Sequence, residues 1–311
     1  MAFQAGNLFG NLFTAIANQT TVVYPLHDAI LNAKTLVNIL EHVQVDVAVS
    51  SPKVVEVLAS DSAMLEFVSS KIGALGYAGG NISNAAGCTL ASSLKLFSVY
   101  AQTENGINAT IRPAYSWGEI DWGCLHFHPQ AGYEFRHIVN EEFELVIVRK
   151  SNPTEEQPVF KVFPHLQEWS TKDVFIPDVA RPGGWIYRSR ADDIINFNDG
   201  TTFNPVVFEQ HVNGHPDIRD SVMLGTQRPQ ASLLIELNSP RVLSESERTD
   251  VINDIWPLVS KANAECNKQS TIPRSHIMFT LPEKPLPRAS KGTVQRALAV
   301  KLYAEELHAL Y

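Results

Sequence analysis

The residues best suited to chemistry lie near the end of the chain, in LPEKPLPRASKGTVQR from Leu281 to Arg296, where Lys291 stands on a glycine-flanked turn. Pro282, Pro285 and Pro287 keep the approach extended and stiff, and Gly292 supplies backbone freedom. The following VQRALAVKLYAEELHAL has helical periodicity, so the pattern predicts Lys291 at a helix N-terminus, where backbone donors already favour negative charge. A lysine held this way is suited to meet an anion. Histidine pairs offer less. His126 and His128 share a strand face, and His211 and His215 stand at helical i, i+4 spacing, but neither pair has cysteine or carboxylate ligands arranged to complete a metal site. Trp117 and Trp122 read as packing residues.

Positioning such a lysine takes a frame, and the hydrophobic pattern supplies one. From about His27 to Phe97, helical stretches AILNAKTLVNILEHV and SDSAMLEFVSSKI alternate with short apolar runs VDVAVS, ALGYAGG and LKLFSVY. That alternation implies βαβ units on a parallel sheet. Between Asn108 and Val148, the short runs INATIRP, CLHFHP, YEFRHI and FELVIVR with Gly and Pro turns predict a small antiparallel subdomain. After Arg190 come helix NPVVFEQHV, strands SVMLGT and ASLLIEL, a long helix SESERTDVINDIWPLVSKANAEC, strand SHIMFT and the last helix. Ser244 and Glu247 have capping-box spacing for the long helix. The expected fold class is therefore α/β, with parallel βα units and a small antiparallel β subdomain followed by a small α+β C-terminal subdomain. The expected divisions are residues 1–187, a joint at 188–193, and 194–311.

Several ordered motifs carry a resemblance. WSTKDVFIPDVARPGGWIYRSRADD begins at Trp169, SVYAQTENG runs from Ser98 to Gly106, and the tail adds KGTVQR; FHPQAGYEFR, ELVIVR, NPVVFEQ and NAEC agree with them. Together they resemble the adenylate-forming superfamily of acyl-CoA synthetases, luciferases and nonribosomal peptide synthetase adenylation domains, with wording nearest the fungal synthetase-like domains, including those of adenylate-forming reductases. The resemblance covers nearly the whole chain. SVYAQTENG is similar to the family's Y-G-x-T-E motif, with Ala101 and Gln102 as departures.

The resemblance implies a reaction in which a carboxylate attacks the α-phosphorus of ATP and expels pyrophosphate, so that two anions must be brought together. On that reading Lys291 is the catalytic point charge, and Glu104 binds Mg²⁺. Thr103 donates to a phosphate oxygen, and Tyr100 stacks on or flanks adenine. Asp173 accepts from the ribose hydroxyls, with Arg190 reaching the same sugar. Gly79 and Gly80, in the YAGGNIS turn, let the nucleotide or acyl group approach the backbone. Asp192 is the hinge of the small subdomain. The cofactors implied are ATP and Mg²⁺, and the substrate is a small carboxylic acid.

What the resemblance leads one to look for and does not find also shapes the expectation. A Ser/Thr/Gly-rich phosphate loop, a histidine near Gln4 and Ala5, and a carrier-domain serine motif do not occur in the 311 residues, which implies a truncated adenylation domain of secondary metabolism. Two alternatives stand beside it. One is a non-catalytic module completed by another protein that supplies the N-terminal half or a carrier domain; the other is a repurposed enzyme using the old cleft. A net charge of −8 with no Lys/Arg stripe argues against a nucleic-acid partner. Asn7, Asn11, Asn18 and Gln19 interrupt the uncharged opening stretch, so no membrane span is expected there. Cys88, Cys124 and Cys266 are odd in number and widely spaced, which fits neither a disulfide framework nor a zinc module and points to the cytoplasm.

Overall fold

Three parallel strands frame the first part of the chain, in a computed structural model that describes residues 14–25, 32–111, 122–151, 157–289 and 292–311. The elements run α1 (Thr14–Asn18), α2 (Ala33–His42), β1 (Val47–Ser50), α3 (Pro52–Ser60), α4 (Ser62–Lys71), β2 (Ala74–Ala78), α5 (Asn84–Ala91) and β3 (Lys95–Val99). Short polar side chains start the helices by accepting from backbone donors that have no partner within the helix. Asn32 takes the Thr35 N–H at 2.9 Å, Asp61 that of Met64 at 3.0 Å and Ser83 that of Ala86 at 3.2 Å. Pro52 opens α3, where its missing N–H costs nothing.

The strand register puts Ala48, Leu75 and Leu96 in one row and Ser50, Tyr77 and Ser98 in the next. Ala48, Leu75, Leu96 and Tyr77 join Val55, Leu58, Val68 and Leu90 from the helices in one buried cluster. The α/β expectation holds. Helices α3 and α5 go beyond what the sequence pattern shows. Pro52–Ser60 is short and valine-rich, while α5 contains Gly87, whose added Cβ would lie 2.0 Å from the Trp122 ring. Trp122 is thus a packing residue, tilted against Tyr77 with ring centroids 6.1 Å apart; Trp117 lies outside the described residues.

The antiparallel part is larger than the sequence pattern suggests. Its strands are β6 (Thr110–Ile111), β7 (Cys124–Phe127), β8 (Tyr133–Val139), β9 (Glu142–Val148), β10 (Glu168–Pro177) and β11 (Trp185–Arg190), in the order β6-β7-β11-β10-β9-β8. They follow a two-residue pairing of β4 (Ala101–Gln102) with β5 (Gly106–Ile107), and α6 (Val159–Val162) precedes β10. The motif-bearing segments after Glu168 are therefore strands of this sheet. Its core is aromatic: Tyr100 and Phe175 are buried with Phe127, Phe135, Trp185 and Tyr187 packed on them. Mostly edge-on ring contacts, such as Phe127 to Phe175 at 5.4 Å, set the rings at the geometry their quadrupoles favour.

The chain divides into two compact units, Met1–Ser189 and Arg190–Tyr311. The second contains β12 (Ile195–Asn196), β13 (Thr202–Phe203), α7 (Val206–Val212), β14 (Ile218–Leu224), β15 (Ser232–Leu237), α8 (Glu245–Asn263), β16 (Ile277–Phe279), α9 (Arg296–Leu302) and α10 (Ala304–Ala309). Strand β15 pairs antiparallel with β14 and parallel with β16. Met223, Leu233 and Ile235 face a core shared with Phe208, Ile255 and Val259, while Val222, Leu224 and Leu234 face Ala299, Tyr303 and Leu307. Period-two alternation thus serves two helical layers. The capping box forms, with Ser244 and Glu247 bonded reciprocally at the start of α8. Among the described residues no helix is long and apolar enough to cross a membrane.

The tail differs from its expectation. Arg288 and Val294 pair as an antiparallel bridge, and α9 begins only at Arg296. The single helix read from the periodicity is two, broken at buried Tyr303, whose hydroxyl donates to the Lys284 carbonyl.

Candidate functional site

The carboxyl ends of β1, β2 and β3 lie side by side, which in an open parallel sheet is where ligands gather. At the end of β2, Gly79 has φ +94°, a backbone region that favours glycine, with nothing within 4 Å of where a Cβ would stand. Gly80 is ordinary in φ and stands near Pro52. The turn is anchored on both sides: Asn81 Nδ2 donates to the Tyr187 carbonyl at 3.0 Å, and Ser83 Oγ donates to Glu56 at 3.0 Å.

At the end of β3, Tyr100 Oη donates to Asp173 Oδ2 at 2.7 Å, and Gln102 Nε2 donates to the same oxygen at 2.7 Å. Asp173 is 5% exposed and Tyr100 9%. A carboxylate so enclosed is tolerable only because donors converge on it. Burial, reinforced by the neighbouring Asp173 charge, pushes the Tyr100 phenol well above its ordinary value. The Tyr100 ring packs edge-on to Phe127 at 5.7 Å and to Phe175 at 5.3 Å, which leaves little ring face for stacking. The Tyr100 hydroxyl is directed to Asp173.

Asp173 reaches this position through an irregularity in β10. Ser170 pairs with Val146 and Val174 with Glu144, so Thr171, Lys172 and Asp173 together stand opposite Leu145. Thr171 Oγ1 donates to the Leu145 carbonyl at 2.6 Å and accepts from the Asp173 N–H at 3.1 Å, while Lys172 takes φ +61° with its side chain outward. The bulge lets Thr171 and Asp173 both be buried.

Thr103 is exposed and Glu104 half-buried in the turn between β4 and β5. Asn105 braces that turn, donating to Asn108 Oδ1 at 2.6 Å and accepting from the Val159 N–H at 3.2 Å. Thr103 and Glu104 are thereby held on the continuation of β3, beyond Tyr100 and Gln102.

In the second unit, Arg190 Nη2 lies 3.8 Å from Asp192 Oδ2, and both side chains are solvent-exposed. Lys291 lies outside the described residues, which resume at Gly292. The Gly292 N–H donates to the Ala289 carbonyl at 2.8 Å, and Gly292 has φ +88°, a backbone region that favours glycine. On one side, Arg288 bonds Glu236 at 2.8 Å and Asp220 at 2.5 Å. On the other, Arg296 forks onto both Glu209 oxygens at 2.7 and 2.9 Å, donates to the Met223 carbonyl at 2.6 Å, and lies 3.4 Å from Asp193. Burial alone would lower the Arg296 pKa, yet the Glu209 and Asp193 carboxylates outweigh it and hold the guanidinium above its ordinary value.

Gln102, a departure from the family motif, proves to be a third member of the Asp173 cluster. Arg288 and Arg296 in LPEKPLPRASKGTVQR, Glu209 in NPVVFEQ and Glu236 in ASLLIEL stand inside segments the sequence picks out, but no role is read for them there; the charge of Glu236 in an otherwise apolar strand was the available signal. The histidine pairs do not assemble as pairs. His126 faces Cys124, with Nε2 3.7 Å from Sγ, and His128 Nδ1 accepts from the Gln130 N–H. His215, Asp217 and Asp254 have ligand atoms within 4.8 Å of one another, but His215 Nδ1 accepts from the Asp217 N–H at 3.3 Å. That keeps the proton on Nε2, which faces Asp254 at 3.2 Å as a hydrogen-bond donor.

Comparison with known proteins bears on this geometry. A family model described as the AMP-binding enzyme C-terminal domain matches residues 192–311. A carboxylic acid reductase of Neurospora crassa is 31% identical over 286 residues, which are 90% of this chain and 26% of that protein. The adenylate-forming reductase Nps11 of Serpula lacrymans is 31% identical over 285 residues, 88% of this chain and 25% of that protein. The chain thus spans about a quarter of the length of the curated relatives it matches. Among solved structures, ATP-bound MatB from Rhodopseudomonas palustris superposes with a TM-score of 0.68 at 12% identity, over 98% of this chain and 59% of that one. Sequence and fold agree that the chain belongs to the adenylate-forming superfamily, and that it spans part of an AMP-binding domain of the kind found in fungal adenylate-forming reductases.

Proposed function

We propose that the chain binds the adenosine part of ATP and takes part in converting a small carboxylic acid to its acyl-adenylate, in a cytoplasmic pathway of secondary metabolism. The observation that carries this reading is the Asp173 carboxylate, enclosed between Tyr100 and Gln102 beside the carboxyl ends of parallel strands. A carboxylate offers two acceptor oxygens, which matches the vicinal hydroxyls of a ribose. Arg190 is a second donor fork for that sugar, and Gly79 and Gly80 keep the neighbouring backbone approachable.

Glu104, half-buried next to exposed Thr103, suits a hard cation such as Mg²⁺, which takes one or two carboxylates and completes its shell with phosphate oxygens and water. Magnesium would neutralise phosphate charge there, and Thr103 would donate to a phosphate oxygen. Lys291 would supply the cation that draws the acid and the phosphate together, with Asp192 as the hinge residue. The match to an AMP-binding domain and the ATP named for the bacterial MatB structure support the nucleotide class.

The test is acid-dependent exchange of labelled pyrophosphate into ATP across aryl, amino and short fatty acids. Exchange that disappears in Lys291→Ala, with an unchanged melting temperature, is the expected result. A folded protein that neither exchanges nor binds ATP would overturn the reading.

A further inference from the structure

We infer that Gln102 is a specificity-determining residue for the nucleotide sugar: its Oε1 accepts a hydrogen bond from one ribose hydroxyl while the Asp173 carboxylate accepts from the other. Gln102 thereby adds to the proposed function, on which this assignment rests.

Gln102 is held from both ends. Its backbone lies in β4 opposite Gly106, and its side chain reaches the bulge of β10, where Nε2 donates to Asp173 Oδ2 at 2.7 Å and to the Thr171 carbonyl at 3.3 Å. Both partners are acceptors, so the end of the amide that faces them can only be the NH₂ group. That fixes the other end as the carbonyl oxygen, and Gln102 Oε1 is buried with no hydrogen-bond partner among the described residues. A buried carbonyl oxygen without a donor is costly, and native structures keep few of them. Here the cost falls on the residue that also grips the carboxylate. Tyr100 does not relieve it, since it has one hydroxyl proton and gives that to Asp173 Oδ2.

The chemistry of the missing donor follows from its neighbours. Across the amide Oε1 is about 2.2 Å from Nε2, so it stands within about 5 Å of Asp173 Oδ2. Two acceptors at that spacing suit a ligand with two adjacent donors. Phosphate and carboxylate groups bring acceptors only and would be repelled by Oε1. A vicinal diol brings one donor for each acceptor. A site that hydrogen-bonds a substrate hydroxyl rejects the analogue lacking it, because its own polar group is then left unpaired.

The experiment is calorimetric titration of the purified 311-residue chain with ATP, 2′-deoxy-ATP and 3′-deoxy-ATP. The wild-type chain should bind ATP at least about tenfold more tightly than either analogue. Gln102→Met keeps the length of the side chain and removes both polar ends, whereas Gln102→Lys keeps a donor for Asp173 and has no acceptor. Both variants should narrow the preference for ATP over one deoxy analogue at least about fivefold, and leave the preference over the other within about twofold. A ratio of affinities on one protein cancels any general change that the lysine charge makes to nucleotide binding. The inference is overturned by wild-type affinities that ignore the sugar, by ratios unchanged in the variants, or by both ratios narrowing together. It is also overturned if Gln102→Lys restores the wild-type ratios, which would make Gln102 a positioning residue for Asp173 alone. A folded wild-type chain that binds none of the three nucleotides removes the proposed function and this assignment with it, whereas ATP binding with unaltered ratios removes the assignment alone.

Discussion

Tyr100 and Asp173 lie 73 residues apart in sequence and 2.7 Å apart in space, joining the end of a parallel strand to a bulge in the antiparallel sheet. The contact gives one carboxylate a fixed direction. Asp173→Asn keeps its volume and an acceptor for Tyr100 but removes the charge that a ribose diol would meet. Hydrogen bonds to charged groups contribute about 1.5–3 kcal/mol, so affinity for a fluorescent ATP analogue should fall roughly 10- to 100-fold, read by anisotropy, with the fold retained.

Arg296 answers a different question, that of stability. Its guanidinium is buried against Glu209, Asp193 and the Met223 carbonyl, so Arg296→Ala strands the Glu209 carboxylate without its fork. Removing one partner of a buried ion pair costs about 3–5 kcal/mol, and the second unit should unfold at correspondingly lower urea. Unchanged denaturation would show that the pair is balanced by desolvation.

Gly87→Ala places a methyl where the Trp122 ring stands, 2.0 Å from its nearest atom. Helix propensity favours alanine by about 1 kcal/mol, but overpacking against a rigid indole costs about 1–3 kcal/mol, so the net change should be destabilising. Trp122 fluorescence during thermal melting reports it directly.

Alkaline pH should weaken the fold. Burial raises the phenols of Tyr77 and Tyr100, and holds Tyr133 and Tyr303 at about 12. Below about pH 10 the phenols are protonated in both states and the buried rings contribute fully. Above it the unfolded phenols ionise while the folded ones keep their protons, so stability falls until the folded values are passed. Urea midpoints measured from about pH 8 to about pH 11 should decline only in the upper part of that range.

The α/β alternation, the order of helices and strands in the second unit and the Ser244 cap were legible because each is a local pattern of a few residues. Tyr100 and Asp173 were legible only through separate motifs, and nothing local foretold that they touch. Gln102 looked like an exception in its motif because its value lies in a bond to β10, 71 residues away. Arg288 and Arg296 were missed for the same reason, since Glu236 and Glu209 are 52 and 87 residues distant. Helical periodicity after Val294 was real, but it could not reveal that the preceding strand pairing delays the helix to Arg296.

The bulge in β10 has a bearing on how such a chain can change over generations. Ser170 and Val174 flank three residues that oppose Leu145 alone, so Lys172 and Asp173 are surplus to the ladder. An in-frame loss of those two codons would let Thr171 pair with Leu145 and Val174 follow on, leaving an unbroken strand. The scaffold would survive and the carboxylate would be gone. Ancestry written in the fold and chemistry carried by Asp173 are therefore separately heritable in this chain.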